Sequence, residues 1–119
     1  MESSELKNVT ISQRGNEICE ALKEDGYFNS AVDAYRTAIC IAIAKDLSVD
    51  ESLKGTLNKW DTASVFRDPD SNIEALMILK GFSRDQVVAK GKLLAETGLR
   101  FIEEKRIANV DLLSILIGS

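Results

Sequence analysis

The chain has 119 residues, 45% apolar and 29% charged, and its 15 basic against 19 acidic side chains give a net charge of −4. One globular unit with a core of its own is expected, and a disordered tail is excluded; the longest uninterrupted apolar stretch, Ala38 to Ala44, is far shorter than the roughly 20 residues of a bilayer span. With no histidine and two cysteines, the chain has no Ser-His or Cys-His nucleophile pair, no imidazole base, and no His-bearing or four-thiolate metal site of its own.

The first residues, Met1-Glu2-Ser3-Ser4-Glu5, are acidic and no apolar run follows them, so a cytoplasmic protein is expected. In Lys7 to Ser12, apolar Val9 and Ile11 alternate with polar Asn8, Thr10 and Ser12, which predicts one short strand with an inward and an outward face. Ser12 then caps a helix to about Asp25 with Ile18, Ala21 and Leu22 on one face, and Gly26 stops it. Asn29 or Ser30 caps a second helix, Ala31 to Lys45, whose Thr37 to Ala44 portion is apolar around its circumference and must be covered on every side. Cys19 and Cys40 sit in apolar sequence and are predicted to be reduced core residues.

From Leu47 to Asp70 the pattern is that of a connector. Ser48-Val49-Asp50-Glu51 has capping-box spacing for a short helix to about Leu53, Gly55 interrupts it, and Arg67-Asp68-Pro69-Asp70 is turn chemistry. Asp70 or Ser71 caps a helix through Leu79, and Gly81 ends it. Ser83-Arg84-Asp85-Gln86 is a second capping box, with Phe82 and Val87 placed as a hydrophobic staple. The following helix, about Arg84 to Lys105, carries Val87, Gly91, Leu94, Gly98 and Phe101 at steps of four and three, with Val88, Ala95 and Ile102 alongside. That seam predicts a packed neighbour, with close backbone approach at the two glycines. Asn109 caps a last, very apolar segment, Val110 to Ile117, which needs a core or a partner to cover it.

A strand, a helix, a glycine turn and an apolar second helix within 45 residues resemble the ribbon-helix-helix (MetJ/Arc/CopG-like) family of DNA-binding dimers, the likeness being carried by Gly26-Tyr27-Phe28-Asn29-Ser30-Ala31-Val32-Asp33-Ala34-Tyr35-Arg36-Thr37-Ala38-Ile39. The resemblance implies an intermolecular two-stranded ribbon in the major groove of double-stranded DNA, with Asn8, Thr10 and Ser12 reading base edges. It also implies phosphate contacts from Lys7, Arg14 and the second helix's start at Asn29 and Ser30, and a homodimer core of Val9, Ile11, Ile39 and Ile43, with pairing into tetramers left open. An unpaired strand and an over-apolar helix are both relieved by two-fold pairing. The layout, with Ala95-Glu96-Thr97-Gly98 near its end, also looks like the small accessory proteins of Dnd DNA-phosphorothioation and restriction systems. Against the family pattern, the ribbon presents no Arg or Lys, and five basic against seven acidic residues over 1–45 give a local charge of −2, which is poor for phosphate.

Pro69-Asp70 with Glu103-Glu104-Lys105 spells a nuclease-type carboxylate-lysine signature, but on a helix cap and a helix end, not on adjacent strands. Gly91-Lys92 lacks the glycine and the hydroxyl of a phosphate loop. Glu96 with Arg100 and Arg100 with Glu104 have the spacing of surface i, i+4 pairs.

The expectation is thus a mostly α protein with one short N-terminal strand: a ribbon-helix-helix unit over 1–46, a connector over 47–70 and a helical region over 71–119. Its expected function is non-enzymatic DNA binding as a homodimer, a transcriptional regulator or a subunit of a DNA-modification or defence system, without cofactor, metal or membrane. The alternative is a protein-protein adaptor that keeps the dimer fold without DNA, docking a partner through Leu112 to Ile117.

Overall fold

The computed structural model describes residues 8–53 and 55–107. It is mostly helical, with a small antiparallel sheet: β1 (Asn8–Ile11), α1 (Gln13–Glu24), α2 (Ala31–Ala44), β2 (Leu57–Asp61), α3 (Thr62–Phe66), α4 (Ile73–Leu79) and α5 (Val87–Ile107), the last preceded by a 3-10 turn at Arg84–Gln86.

Local chemistry sets the helix boundaries. The Ser12 hydroxyl accepts the Gly15 amide at 2.9 Å to open α1, and the Ser30 hydroxyl accepts the Asp33 amide at 3.3 Å to open α2. Left-handed glycines, Gly26 at φ +84° and Gly81 at φ +104°, end α1 and α4. Beyond each, the next amide bonds back to the helix, Tyr27 to Leu22 and Phe82 to Met77. Two caps differ from expectation. Asn72, not Asp70 or Ser71, caps α4 through the Ala75 amide at 2.9 Å. The capping box at Ser83 does not close, because its hydroxyl donates to Asp85 at 2.7 Å, and the chain makes a 3-10 turn before α5. Ser48 to Glu51 opens no helix either: Asp50 accepts both the amide and the hydroxyl of Ser52, a local turn that competes with helix nucleation.

The segment expected to be a connector holds a second strand, β2, which pairs antiparallel with β1: Asn8 opposite Asp61, Val9 opposite Trp60, Thr10 opposite Asn58 and Ile11 opposite Leu57, with an irregularity between Val9 and Thr10. The single strand therefore finds its hydrogen-bonding partner in its own chain, and the expectation of one strand is corrected to two among the described residues. Val9 and Ile11 face inward and are fully buried, as their alternation predicts.

Helix α2 is the centre of the molecule. It packs on α5 most extensively, and also on α1, α3 and α4, so most of its apolar circumference is covered within the chain, with Cys40 and Ile43 half-buried and Ala44 exposed. Val9, Ile11 and Ile39, expected to form a homodimer core, are each 0% exposed here, and Ile43 is partly buried against the same core. The strand's need for a partner, and most of the cover that α2 needs, are thus met inside one chain. α5 runs back along α2, from Leu94 near Ala42, past Gly98 on Ala38, to Arg106 on Asp25. Both seam glycines mark close approaches, Gly98 to α2 and Gly91 to α3: a Cβ at Gly98 would overlap the Ala38 backbone, and one at Gly91 the Phe66 ring.

Candidate functional site

The outward face of the ribbon contains the side chains expected to read DNA. Asn8 and Thr10 are half-exposed there, beside Asp61 and Asn58 of β2, so the face offers amide and hydroxyl groups and one carboxylate. Ser12 is committed elsewhere. Its amide and hydroxyl both donate to the Glu96 carboxylate, at 2.8 and 2.6 Å, while the same hydroxyl caps α1.

Two cations beside the ribbon, Arg14 and Lys59, are engaged by carboxylates. Arg14 pairs with Glu17 at 3.2 Å and with Glu103. Lys59, which lies over the Trp60 ring, pairs with Glu20 at 2.7 Å and donates to Asn16. At the start of α2, Asn29 is exposed, but the Ser30 hydroxyl already occupies the Asp33 amide and the Asp33 carboxylate sits in the first turn. That position therefore carries negative charge where an incoming phosphate needs positive potential. Lys7 lies outside the described residues, as does the segment Val110 to Ile117. Pro69 and Asp70 are exposed and Glu103 pairs with Arg14. Among the described residues no group of three or more acidic or thiol side chains is placed to hold a metal ion, and no helix is long and apolar enough to cross a membrane.

The polar centre that sequence spacing missed is Glu96. Assigned by its i, i+4 spacing to a surface pair with Arg100, it is instead 1% exposed, with Arg100 at 3.9 Å and its other contacts coming from Ser12. A Cβ on Gly15 would stand 2.9 Å from Glu96 Oε1, so a glycine in the first turn of α1 makes room for the carboxylate. The signal in the sequence was that glycine, together with an acidic residue inside an otherwise apolar seam. Nearby, the Tyr35 hydroxyl is fully buried without a hydrogen-bond partner. Burial, and then the Glu96 charge, holds its pKa well above the ordinary phenol value. Burial likewise pushes the Cys19 thiol up to about 12, which leaves it protonated and unreactive at neutral pH. The cluster is a latch joining β1, α1 and α5.

Arg36 is a second structural device. It pairs with Asp33 at 3.0 Å and donates to the carbonyls of Val65, at 3.2 Å, and Ser64, satisfying carbonyls that the short α3 leaves open.

Several carboxylates titrate below their ordinary range: Glu20 through the hydrogen bond from Lys59, Glu17 through those from Gln13 and then Arg14, and Asp50 and Asp61 through those from Ser52 and Ser64. A depressed folded-state pKa adds stability that is present above the unfolded value, near 4, and is lost as pH falls through the lower folded value. Urea midpoints are expected to be flat from about pH 7 to 5 and to fall below about pH 4, the drop being shallower in high salt because these groups lie near solvent.

Grooves open on the surface among the described residues. One of about 340 Å³ runs from Thr10, Leu53 and Gly55 to Lys90 and Leu93. One of about 320 Å³ lies between the end of α2 and the start of α5, lined by Ile43, Leu47, Val49, Phe82 and Leu94 with Asp46 and Lys80 at its rim. Another, about 550 Å³, lies between the starts of α2 and α4. The outer end of α4 exposes Ile78 at 37% and Leu79 at 83%.

No protein-family model matches the chain, and no curated protein or solved structure is significantly similar to it.

Proposed function

We propose that the protein is a non-enzymatic adaptor that docks an amphipathic helix of a partner subunit on the surface formed by the end of α4 and the adjoining groove. The observation that carries this is Leu79, 83% exposed one turn of chain from Phe82 and the apolar groove of Ile43, Leu47, Val49 and Leu94. An apolar floor with an Asp46 and Lys80 rim suits the helix-in-groove mode, with apolar anchors in the centre and polar groups outside. The resemblance to accessory proteins of Dnd systems suggests a subunit of a DNA-modification or defence assembly. On this view residues 8–44 keep the strand-helix-helix order of ribbon-helix-helix proteins as a scaffold, with the second strand supplied by the same chain.

Direct binding of double-stranded DNA is the second function, favoured by the polar ribbon face of Asn8, Thr10 and Asn58, where the two asparagine amides can bond adenine edges and the Thr10 hydroxyl other base edges. Its phosphate contacts would have to displace Glu17, Glu103 and Glu20 from Arg14 and Lys59, and the net charge of −4 opposes this.

One pair of measurements separates the two. Co-expression with the products of adjoining genes is expected to give a complex that survives high salt and is weakened at least about tenfold by Leu79→Glu, the loss of an apolar anchor. Anisotropy with a duplex from upstream of the gene is expected to show no binding at about 50 or 200 mM salt. Duplex binding that falls steeply with salt and on Asn8→Ala or Thr10→Ala, with any protein complex indifferent to Leu79→Glu, would overturn the adaptor in favour of DNA binding.

A further inference from the structure

Helices α1, α2 and α4 end in the same way. One residue past each C-cap has a positive φ, and the amide after it bonds back to the helix: Tyr27 to Leu22 at 3.1 Å, Leu47 to Ala42 at 2.9 Å and Phe82 to Met77 at 3.0 Å. In α1 and α4 the left-handed residue is a glycine, Gly26 or Gly81, which has no side chain to clash. In α2 it is Asp46, at φ +51°, the one non-glycine residue with positive φ among the described residues.

Two local forces disfavour an aspartate at this place. A Cβ is strained in the left-handed conformation, and a carboxylate at a helix C-terminus meets the negative end of the helix dipole. The Asp46 carboxylate is exposed and finds no compensation among the described residues, since neither Lys45 beside it nor Lys80 across the groove comes within ion-pair distance. Yet the same residue stands on the rim of the groove of about 320 Å³, beside the apolar side chains of Ile43, Leu47, Val49, Phe82 and Leu94. A residue that costs stability at its own helix end and borders an apolar groove has the pattern of a binding residue.

We propose that the partner helix docked in this groove brings an arginine or lysine to Asp46, so that the partner is an amphipathic helix with a basic edge. This deepens the adaptor reading and rests on it. The α2 dipole adds to the carboxylate, so the favoured partner charge is positive, and an arginine can pair with Asp46 through two hydrogen bonds.

The test uses the complex obtained by co-expression with the products of adjoining genes, and three variants of the full chain: Leu79→Glu, Asp46→Asn and Asp46→Gly. Asparagine removes the charge and tolerates the left-handed conformation, and glycine removes the side chain as well. Both Asp46 variants are expected to melt about 2 to 5 °C higher than the natural chain. Both are also expected to bind the partner about three- to tenfold more weakly at about 50 mM salt, with the difference shrinking at about 500 mM. A gain in stability with a loss in binding separates a contact residue from a misfolded chain. A complex weakened by Leu79→Glu but unchanged by either Asp46 variant would overturn the basic edge and leave the adaptor standing. A complex that tightens when Asp46 loses its charge would overturn it too, since the partner's edge would then be acidic. Lower melting of both Asp46 variants would assign the carboxylate to the fold and sink the inference. No complex, or one indifferent to Leu79→Glu, would remove the adaptor and the basic edge together.

Discussion

Replacing Gly98 by alanine is expected to destabilise the protein by about 3 kcal/mol, lowering the thermal midpoint by roughly 10 °C. The sign separates two physical effects. Alanine is the better helix former, so propensity alone raises stability by about 1 kcal/mol at a helix interior. At Gly98, however, the added methyl would overlap the carbonyl, carbonyl carbon and Cα of Ala38. Backbone cannot rotate away as a side chain can, so α2 and α5 must separate. That opens the interface that covers the most apolar face of α2, with Ala38 and Ala42 on one side and Leu94, Ala95 and Leu99 on the other. Gly91→Ala meets the Phe66 ring instead, and a ring can tilt, so a smaller loss of about 1 to 2 kcal/mol is expected there. Urea denaturation of both variants checks the order; stabilisation by Gly98→Ala would show that the helices do not cross here.

That crossing was legible in the sequence at Gly98, which meets the Ala38 backbone, whereas Gly91, expected to mark the same kind of approach, meets the Phe66 side chain. The other long helices were legible for similar reasons: α1 and α4 by their glycine stops and α2 by its run of apolar residues. What the sequence could not disclose was which chain covers α2. An apolar circumference demands neighbours on all sides, and a second copy meets the demand as well as α5 does. The same ambiguity held for β1. Its partner, Leu57-Asn58-Lys59-Trp60-Asp61, has no β-branched residue and no clean alternation, since Lys59 sits at the irregularity and reaches Glu20. Its assignment as a strand comes from pairing with residues about fifty positions away, a long-range contact that no local window contains.

The candidate site was legible in part. The inward and outward sorting of Val9, Ile11, Asn8 and Thr10 follows from alternation alone. That Arg14, Lys59 and Ser12 are engaged by Glu17, Glu103, Glu20 and Glu96 does not, because each of those contacts except Arg14 with Glu17 crosses between elements. A cation counted as available for phosphate in the sequence can be neutralised by a carboxylate that only the fold brings near, and here this happens at Arg14, through Glu103, and Lys59 is held by Glu20 in the same way.

The Glu96 latch makes the second large prediction. Glu96→Ala removes the acceptor for the Ser12 amide and hydroxyl and leaves a space lined by Gly15 and Ile11, so a loss of about 3 to 4 kcal/mol is expected. Ser12→Ala keeps the amide bond to Glu96 but removes the hydroxyl that both caps α1 and donates to the carboxylate; about 2 kcal/mol is expected. Because the two residues share one interaction, the double variant should lose less than the sum of the singles, with a coupling of about 1 to 2 kcal/mol. Glu96→Gln is the sharper variant. It conserves volume, yet where both carboxylate oxygens accept from Ser12, the amide can present only one acceptor and must turn a donor toward the other Ser12 donor. A loss of about 2 kcal/mol without a cavity would assign the latch to hydrogen bonding, whereas a Gln variant as stable as the natural chain would assign it to packing. If Ser12→Ala and Glu96→Ala are additive, the carboxylate does not hold α1 in place, and β1, α1 and α5 are joined by their apolar faces alone.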